Sequence, residues 1–183
     1  RFLMILGLDI STSTTGYCIF NEDGILHIGY ICLKKHKDIF KKSAEIKRVM
    51  QDIKNKFDIK EIAVEQNLQA FRPGLSSAAI LMKLAQFNGI VQWICYEVFN
   101  IPAISLNVNT ARKTVGLKIN RKDDLNTKEQ VLKWVSLQEP GVKWSFKTIS
   151  RGRNKGQVRH ITECYDMADA YVIAKAAYTL AKI

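Results

Sequence analysis

No uninterrupted apolar run in this sequence approaches the roughly 20 residues that a membrane helix needs, so no membrane partner is expected. Nor is there a CxxC pair: Cys18, Cys32, Cys95 and Cys164 are scattered, which argues against a zinc site. Cys18, Cys32 and Cys95 lie inside apolar runs and read as buried free thiols of a reducing compartment, which predicts a cytoplasmic location. The chain opens on Arg1-Phe2, without an initiator Met or a signal-peptide pattern, and that opening reads as a processing remnant. Acids are scarce as well, with 17 Asp and Glu against 28 Lys and Arg, for a formal net charge of +11.

What remains is an ordinary globular composition. The 183 residues are 47% apolar and 25% charged, which suits one domain spanning 1–183 with a sizeable core. The basic charge is unevenly placed. Residues 111–160 carry a net +9 and residues 34–60 a net +6, while the rest sums to −4. Segregated positive charge favours a polyanion partner, the alternative being a merely solvated basic surface.

The first apolar run, Leu3 to Leu8, ends on Asp9. A Ser/Thr-rich turn, Ser11-Thr12-Ser13-Thr14, follows, and then a second apolar run. Apolar runs of this length bounded by turn residues predict strands over 3–9, 15–21 and 25–33, an antiparallel meander with the first strand innermost. Asn21-Glu22-Asp23-Gly24 is a hairpin turn. Apolar spacing predicts a helix over 38–57, and Ile59 to Val64 is another short strand that ends on Glu65. A strand reached through a helix is parallel to its sheet neighbour, so Asp9 and Glu65 should emerge at one edge. A long helix is predicted from Ser76 to Val98 or Phe99, with Ile80, Leu84, Phe87, Val91, Ile94 and Val98 on one side and Ala78, Leu81, Ala85 and Gly89 on another. A strand over 102–106, a short helix with Arg112 and Lys113, a basic loop over 116–127 and a helix to Leu137 come next. Residues 138–161 lack periodicity and read as a basic arm or two-stranded flap containing Arg151 and Arg153. A final Ala-rich helix begins with Asp166 and Asp169, which are spaced i, i+3 and share its first-turn face.

Asp9, on its own, fits a turn cap as well as a metal ligand. Acids in a first helical turn often only favour the helix dipole. Together, however, Asp9, Glu65, Asp166 and Asp169 offer oxygen-only ligands of the kind that suits Mg²⁺ or Mn²⁺. With no Lys or Arg between them they would repel one another unless cations were present. Two ions roughly 4 Å apart can bind both the attacking and the leaving oxygen of a phosphodiester.

These motifs resemble the RuvC-type Holliday junction resolvases of the RNase H-like superfamily. Ile5-Leu6-Gly7-Leu8-Asp9 with Thr15-Gly16-Tyr17 is similar to that family's first strand and turn. Ile62-Ala63-Val64-Glu65-Gln66 resembles its second acidic motif, and Asp166-Met167-Ala168-Asp169-Ala170 its final helix. Arg112-Lys113-Thr114-Val115 and Lys128-Glu129-Gln130-Val131 resemble its basic DNA-contacting region. The Ser/Thr turn is nearer phage-encoded members, which would act in the host cytoplasm.

The resemblance implies an α/β fold with a five-stranded mixed sheet, three antiparallel strands then two parallel ones, flanked by helices. It also implies a metal-dependent endonuclease with two Mg²⁺ or Mn²⁺ ions per active site. Asp9 would bridge the two, and Glu65, Asp166 and Asp169 would complete the sites. Arg112, Lys113 and Lys128 would hold phosphates, and Phe71 and Arg72 would probe the junction centre. A homodimer, joined through the helix after Glu65, would make paired nicks in a four-way junction and leave 5′-phosphates.

The basic stretch 143–159 is longer than the family leads one to expect and reads as an added DNA-binding flap. The competing expectations are an RNase H-like nuclease for other branched DNA or RNA–DNA hybrids, and a non-catalytic nucleic-acid-binding factor. An actin-like ATPase or sugar-kinase fold shares the opening loop pattern but needs a second phosphate loop and about twice the length.

Overall fold

The computed structural model describes residues 3–66 and 78–182. The residues foreseen as a junction probe, Phe71 and Arg72, lie outside the described residues.

Five strands form one sheet in the order β3-β2-β1-β4-β5. The strands β1 (Ile5–Ile10), β2 (Thr14–Asn21) and β3 (Gly24–Cys32) make the antiparallel meander. Next to β1 lies β4 (Glu61–Glu65), parallel to it, and β5 (Ala103–Leu106) continues parallel at the edge. The α/β fold class read from the sequence is the one observed. Two short side-chain devices close the meander. Ser11 Oγ donates to the Thr14 carbonyl at 2.6 Å and accepts from the Thr14 N–H at 3.1 Å, closing the β1–β2 turn. In the two-residue β2–β3 turn, Asn21 Oδ1 accepts from the Asp23 N–H at 2.9 Å, and Gly24 takes a φ of 109°.

Because side chains alternate along a strand, β1 feeds two cores. Leu6, Leu8 and Ile10 face helices α1 (Ile39–Lys56) and α2 (Ala78–Phe99), where Ile46, Met50, Phe87 and Val91 are buried against them. Ile5 faces the opposite layer, built on α5 (Glu163–Ala181) with α3 (Val108–Thr114) and α4 (Thr127–Gln138) around it. Both faces of β1 are therefore covered, which suits its unbroken apolar run. Tyr171 ties α4 to α5: its hydroxyl donates to Glu139 at 2.8 Å and accepts from Lys175 at 2.9 Å.

The closeness of α5 to the sheet depends on two glycines. A Cβ at Gly7 would come within 2.6 Å of the Ala170 carbonyl oxygen and the Ala174 nitrogen. A Cβ at Gly16 would come within 2.1 Å of the Asp166 carbonyl oxygen. Gly16 pairs with Asp9 across β1 and β2. The gap left by its missing side chain thus sets the first turn of α5 directly beside the strand that carries Asp9.

Two details depart from the sequence reading. Ile80 is 59% exposed and does not join the buried side of α2, which consists of Phe87, Val91, Ile94, Cys95 and Val98 together with Asn88. On the other side Met82, Ala85, Gly89, Trp93 and Tyr96 form an exposed stripe. By length and composition alone, α2 is long and apolar enough to cross a membrane, although Lys83, Gln86 and Asn88 interrupt its apolar run; its buried side packs on the sheet. Cys32 is exposed at the end of the outer strand β3, where its apolar run no longer faces a core, whereas Cys18, Cys95 and Cys164 are buried free thiols. Between α4 and α5 the flap is a hairpin of β6 (Phe146–Thr148) and β7 (Val158–His160), paired Phe146 to His160, Lys147 to Arg159 and Thr148 to Val158.

Candidate nuclease site

The same alternation that splits the core also places the acids. Ile5 and Gly7 face α5, so Asp9, two residues further on, takes that face as well. On β4, Ala63 packs in the α5 core while Ile62 and Val64 pack in the other, so Glu65 shares the face of Asp9. The parallel register aligns Leu8 with Val64, which sets Asp9 and Glu65 side by side at the ends of their strands. Asp166 and Asp169 meet them from the first turns of α5.

The acids act on one another through space. Burial pushes the Asp9 carboxyl well above the ordinary carboxylate range, and Asp169, Glu65 and Asp166 push it further. Burial, with Asp169, raises Glu65 to about 7. Asp166 and Asp169 are raised chiefly by burial, and Lys128 and Arg112 respectively pull them back. Arg112 Nη2 lies 3.6 Å from Asp169, and Lys128 Nζ lies 3.5 Å from Asp166.

The acids are therefore not free of cationic side chains, as the sequence reading had them. Among the described residues, no three carboxylate, His or Cys groups are gathered into a preformed metal cage. Arg112 and Lys128 partly neutralise the acids instead. Local helix preference does not explain Lys128, which occupies the first turn of α4, the positive end of the helix dipole. Burial alone would lower its pKa, but Asp166, Asp169 and Asp9 raise it. The α4 N-terminus that carries it is fixed by a capping box between Asn126 and Glu129. Arg112 has a buried Nε with no hydrogen-bond partner among the described residues. An all-oxygen donor set, desolvated and mutually repelling, fits divalent magnesium or manganese in its chemistry. The two side-chain cations could then turn to phosphate.

A groove of about 980 Å³ opens beside the cluster. Of the four acids, Asp166 lines it, together with Lys128, Lys34, Lys147, Arg151 and Arg159. Its outer wall is the β6–β7 hairpin, whose cross-strand pair Lys147–Arg159 shares one face. Lys34 is fastened to the start of α5 by an ion pair with Glu163 at 2.5 Å. Of the predicted DNA contacts, Arg151 and Lys128 reach this groove, whereas Lys113 and Arg153 are exposed residues that do not line it. Lys34, Lys147, Arg159 and Tyr165 were not foreseen as site residues. The alternation of Phe146-Lys147-Thr148 and Val158-Arg159-His160 carries the signal for two of them, but three-residue strands are too short to declare a period.

The pH dependence follows from Glu65. Between its ordinary value of 4.5 and its folded value of about 7, the folded chain holds a proton that the unfolded chain has released. Stability therefore falls as pH rises through that window. In EDTA, Glu65→Gln should melt higher than the wild type at pH 8, and the gap should close toward pH 5, as read by thermal denaturation. A wild type that melted higher than the variant at pH 8 would mean that Glu65 is paired rather than repelled.

Several solved structures share this fold. RuvC of T. thermophilus in complex with a Holliday junction substrate superposes with a TM-score of 0.65, over 98% of this chain and 95% of its own, at 15% identity. The fold is that of RuvC. A further Thermus thermophilus RuvC structure gives a TM-score of 0.63 at 14% identity, covering 98% of this chain and 96% of its own. The yeast mitochondrial Holliday junction resolvase Ydc2 gives 0.54 at 18% identity, covering 96% and 77% respectively. No protein-family model and no curated protein matches the sequence itself. At these identities the likeness to RuvC is one of fold, and any activity must be argued from the site.

Proposed function

We propose that this chain is a Holliday junction resolvase, a structure-selective endonuclease that makes paired nicks in four-way DNA and leaves 5′-phosphates. One observation carries the reading: four carboxylates from three separate segments couple electrostatically at the ends of β1 and β4, beside a groove lined with basic residues. RuvC bound to a Holliday junction shares the fold, which supports the choice of substrate.

Asp9, Glu65, Asp166 and Asp169 are the residues that would hold two Mg²⁺ or Mn²⁺ ions. When bound, such ions supply Lewis-acid activation of water and stabilise charge on the phosphodiester. Arg112 and Lys128 pass from the acids to the scissile phosphate, while Lys147, Arg151 and Arg159 seat the strand along the hairpin wall. Lys113 and Arg153 extend the positive field around the groove. Paired nicks need two sites, and the exposed apolar stripe of α2, with Trp93 62% exposed, offers a homodimer surface. Buried free thiols accord with a cytoplasmic, DNA-associated protein, and the Ser/Thr turn with a phage-type member. One nuclease domain with a basic flap accounts for the whole chain.

The deciding experiment presents wild-type protein with four-way, flap, duplex and RNA–DNA hybrid substrates in one assay with magnesium. The four-way junction should be cut fastest, and comparable rates on all four would reduce the reading to a general nuclease. Binding without cleavage of any of them would favour a non-catalytic factor.

Lys128→Ala should weaken junction binding and flatten the dependence of log Kd on log salt by roughly one phosphate contact, about 0.9 in slope. Titration by fluorescence anisotropy across salt concentrations checks this. An unchanged slope would remove Lys128 from the phosphate contacts.

A further inference from the structure

Behind the basic face of the β6–β7 hairpin is a second cleft, which the hydrolytic reading does not use. It lies between the hairpin and α4 and encloses about 600 Å³. That volume falls in the roughly 300–1,000 Å³ range of pockets that take small molecules and is ample for one nucleobase. Trp144, Phe146, His160 and Tyr165 line it, with Lys133 and Arg159 as its cations and Glu129, whose carboxylate is held by the α4 capping box, as its acid. Trp144 and Tyr165 pack partly against the α5 core and form a firm base. Phe146 is 58% exposed and lies against His160, the ring centroids 4.3 Å apart. An aromatic pair left open on a short hairpin is a platform without its third ring.

We propose that this cleft holds an unpaired DNA base, stacked on the Phe146–His160 pair. The proposal rests on the nuclease reading above. Three features commit the cleft to this occupant. First, Glu129, Arg159, His160 and Tyr165 line both the cleft and the groove that holds Asp166, so a strand in the groove reaches the cleft without a gap. Second, Lys133 and Arg159 complement the phosphates on either side of such a base. Third, a paired base has both faces covered by its neighbours, and only an unstacked base offers a free π-face to an aromatic slot. The hairpin then has two functions on its two faces: Lys147 and Arg159 hold backbone in the groove, and Phe146 and His160 take a base released near the branch.

The test uses the full chain and two four-way junctions that carry 2-aminopurine three nucleotides from the branch, unpaired in one and paired in the other. Calcium replaces magnesium so that binding is read without cleavage. Wild-type protein should quench the unpaired probe and bind that junction about tenfold tighter than the paired one, the scale of one base–aromatic stack. Phe146→Leu keeps an apolar side chain without a ring and should lose most of the preference and the quenching; His160→Ala should do the same. The melting curve of Phe146→Leu should match the wild type, since Phe146 is largely exposed. A preference that survives in both variants, or none in the wild type, overturns the proposal. If the wild type also cuts four-way junctions selectively, only the base slot fails. If it binds neither junction, the nuclease reading fails with it.

Discussion

Asp9→Asn is expected to lower single-turnover cleavage of a four-way junction by about 10³-fold or more while leaving its Kd within a few-fold of wild type. The variant keeps the shape of the side chain and removes one anionic ligand at the centre of the cluster. Losing about 4 kcal/mol of metal-borne stabilisation corresponds to three decades of rate. Binding should survive because Asp9 contacts no phosphate; the groove cations do. Stability separates this account from the simpler one in which Asp9 caps a turn. The β1–β2 turn is already closed by Ser11, which accepts and donates across it. Asp9 is desolvated and repelled by three other acids. In EDTA, Asp9→Asn should therefore melt above wild type, as often happens when a functional group held under strain is neutralised. A variant that cuts as well as its parent would remove Asp9 from the metal site, and one that melts lower would make it a structural residue.

Gly16→Ala should produce the largest loss of stability of any glycine-to-alanine change among the described residues. Its Cβ would stand 2.1 Å from the Asp166 carbonyl oxygen and 2.3 Å from the carbonyl carbon, both backbone atoms with no flexible end to move aside. The first turn of α5 must lift from the sheet, and overpacking of this kind costs roughly 3 kcal/mol. For a chain of this size that lowers Tm by about 6–12 °C. Cleavage should fall with it, because the same displacement carries Asp166 and Asp169 away from Asp9. Gly141→Ala is the matched control: its Cβ meets nothing within 4 Å and its backbone is not in the left-handed region that alanine avoids. Thermal melts of the pair, with junction cleavage at a temperature where both are folded, test the claim. Equal melting of the two variants would show that α5 can relax away from β2 without penalty.

The acidic cluster was legible in the sequence because each acid ends a recognisable pattern. Asp9 and Glu65 close short apolar runs, and Asp166 and Asp169 share a helical turn. Strand alternation then predicts which face they take, and the parallel crossover predicts which edge. Other features have no local signature. Nothing along the chain says that Gly16 faces the Asp166 backbone, a contact made across 150 residues of sequence. Nor does it say that Arg112 and Lys128, which read as phosphate ligands, rest against Asp169 and Asp166. Ile80 fits the spacing of the buried side of α2 but lies in the helix's exposed first turn, where periodicity alone carries no information about what the helix meets. Cys32 fails for a related reason, since an apolar run on an outer strand has a core on only part of its length. The hairpin of residues 146–160 is set by three-residue strands, below the length at which a period of two can be recognised.

The most direct test of the account is the location of manganese in crystals of the wild-type protein, read from its anomalous scattering. Ions bound among Asp9, Glu65, Asp166 and Asp169, with the Arg112 and Lys128 head groups turned away from the acids, are the expected result. Manganese bound elsewhere, with both ion pairs intact and the four carboxylates unliganded, would contradict it.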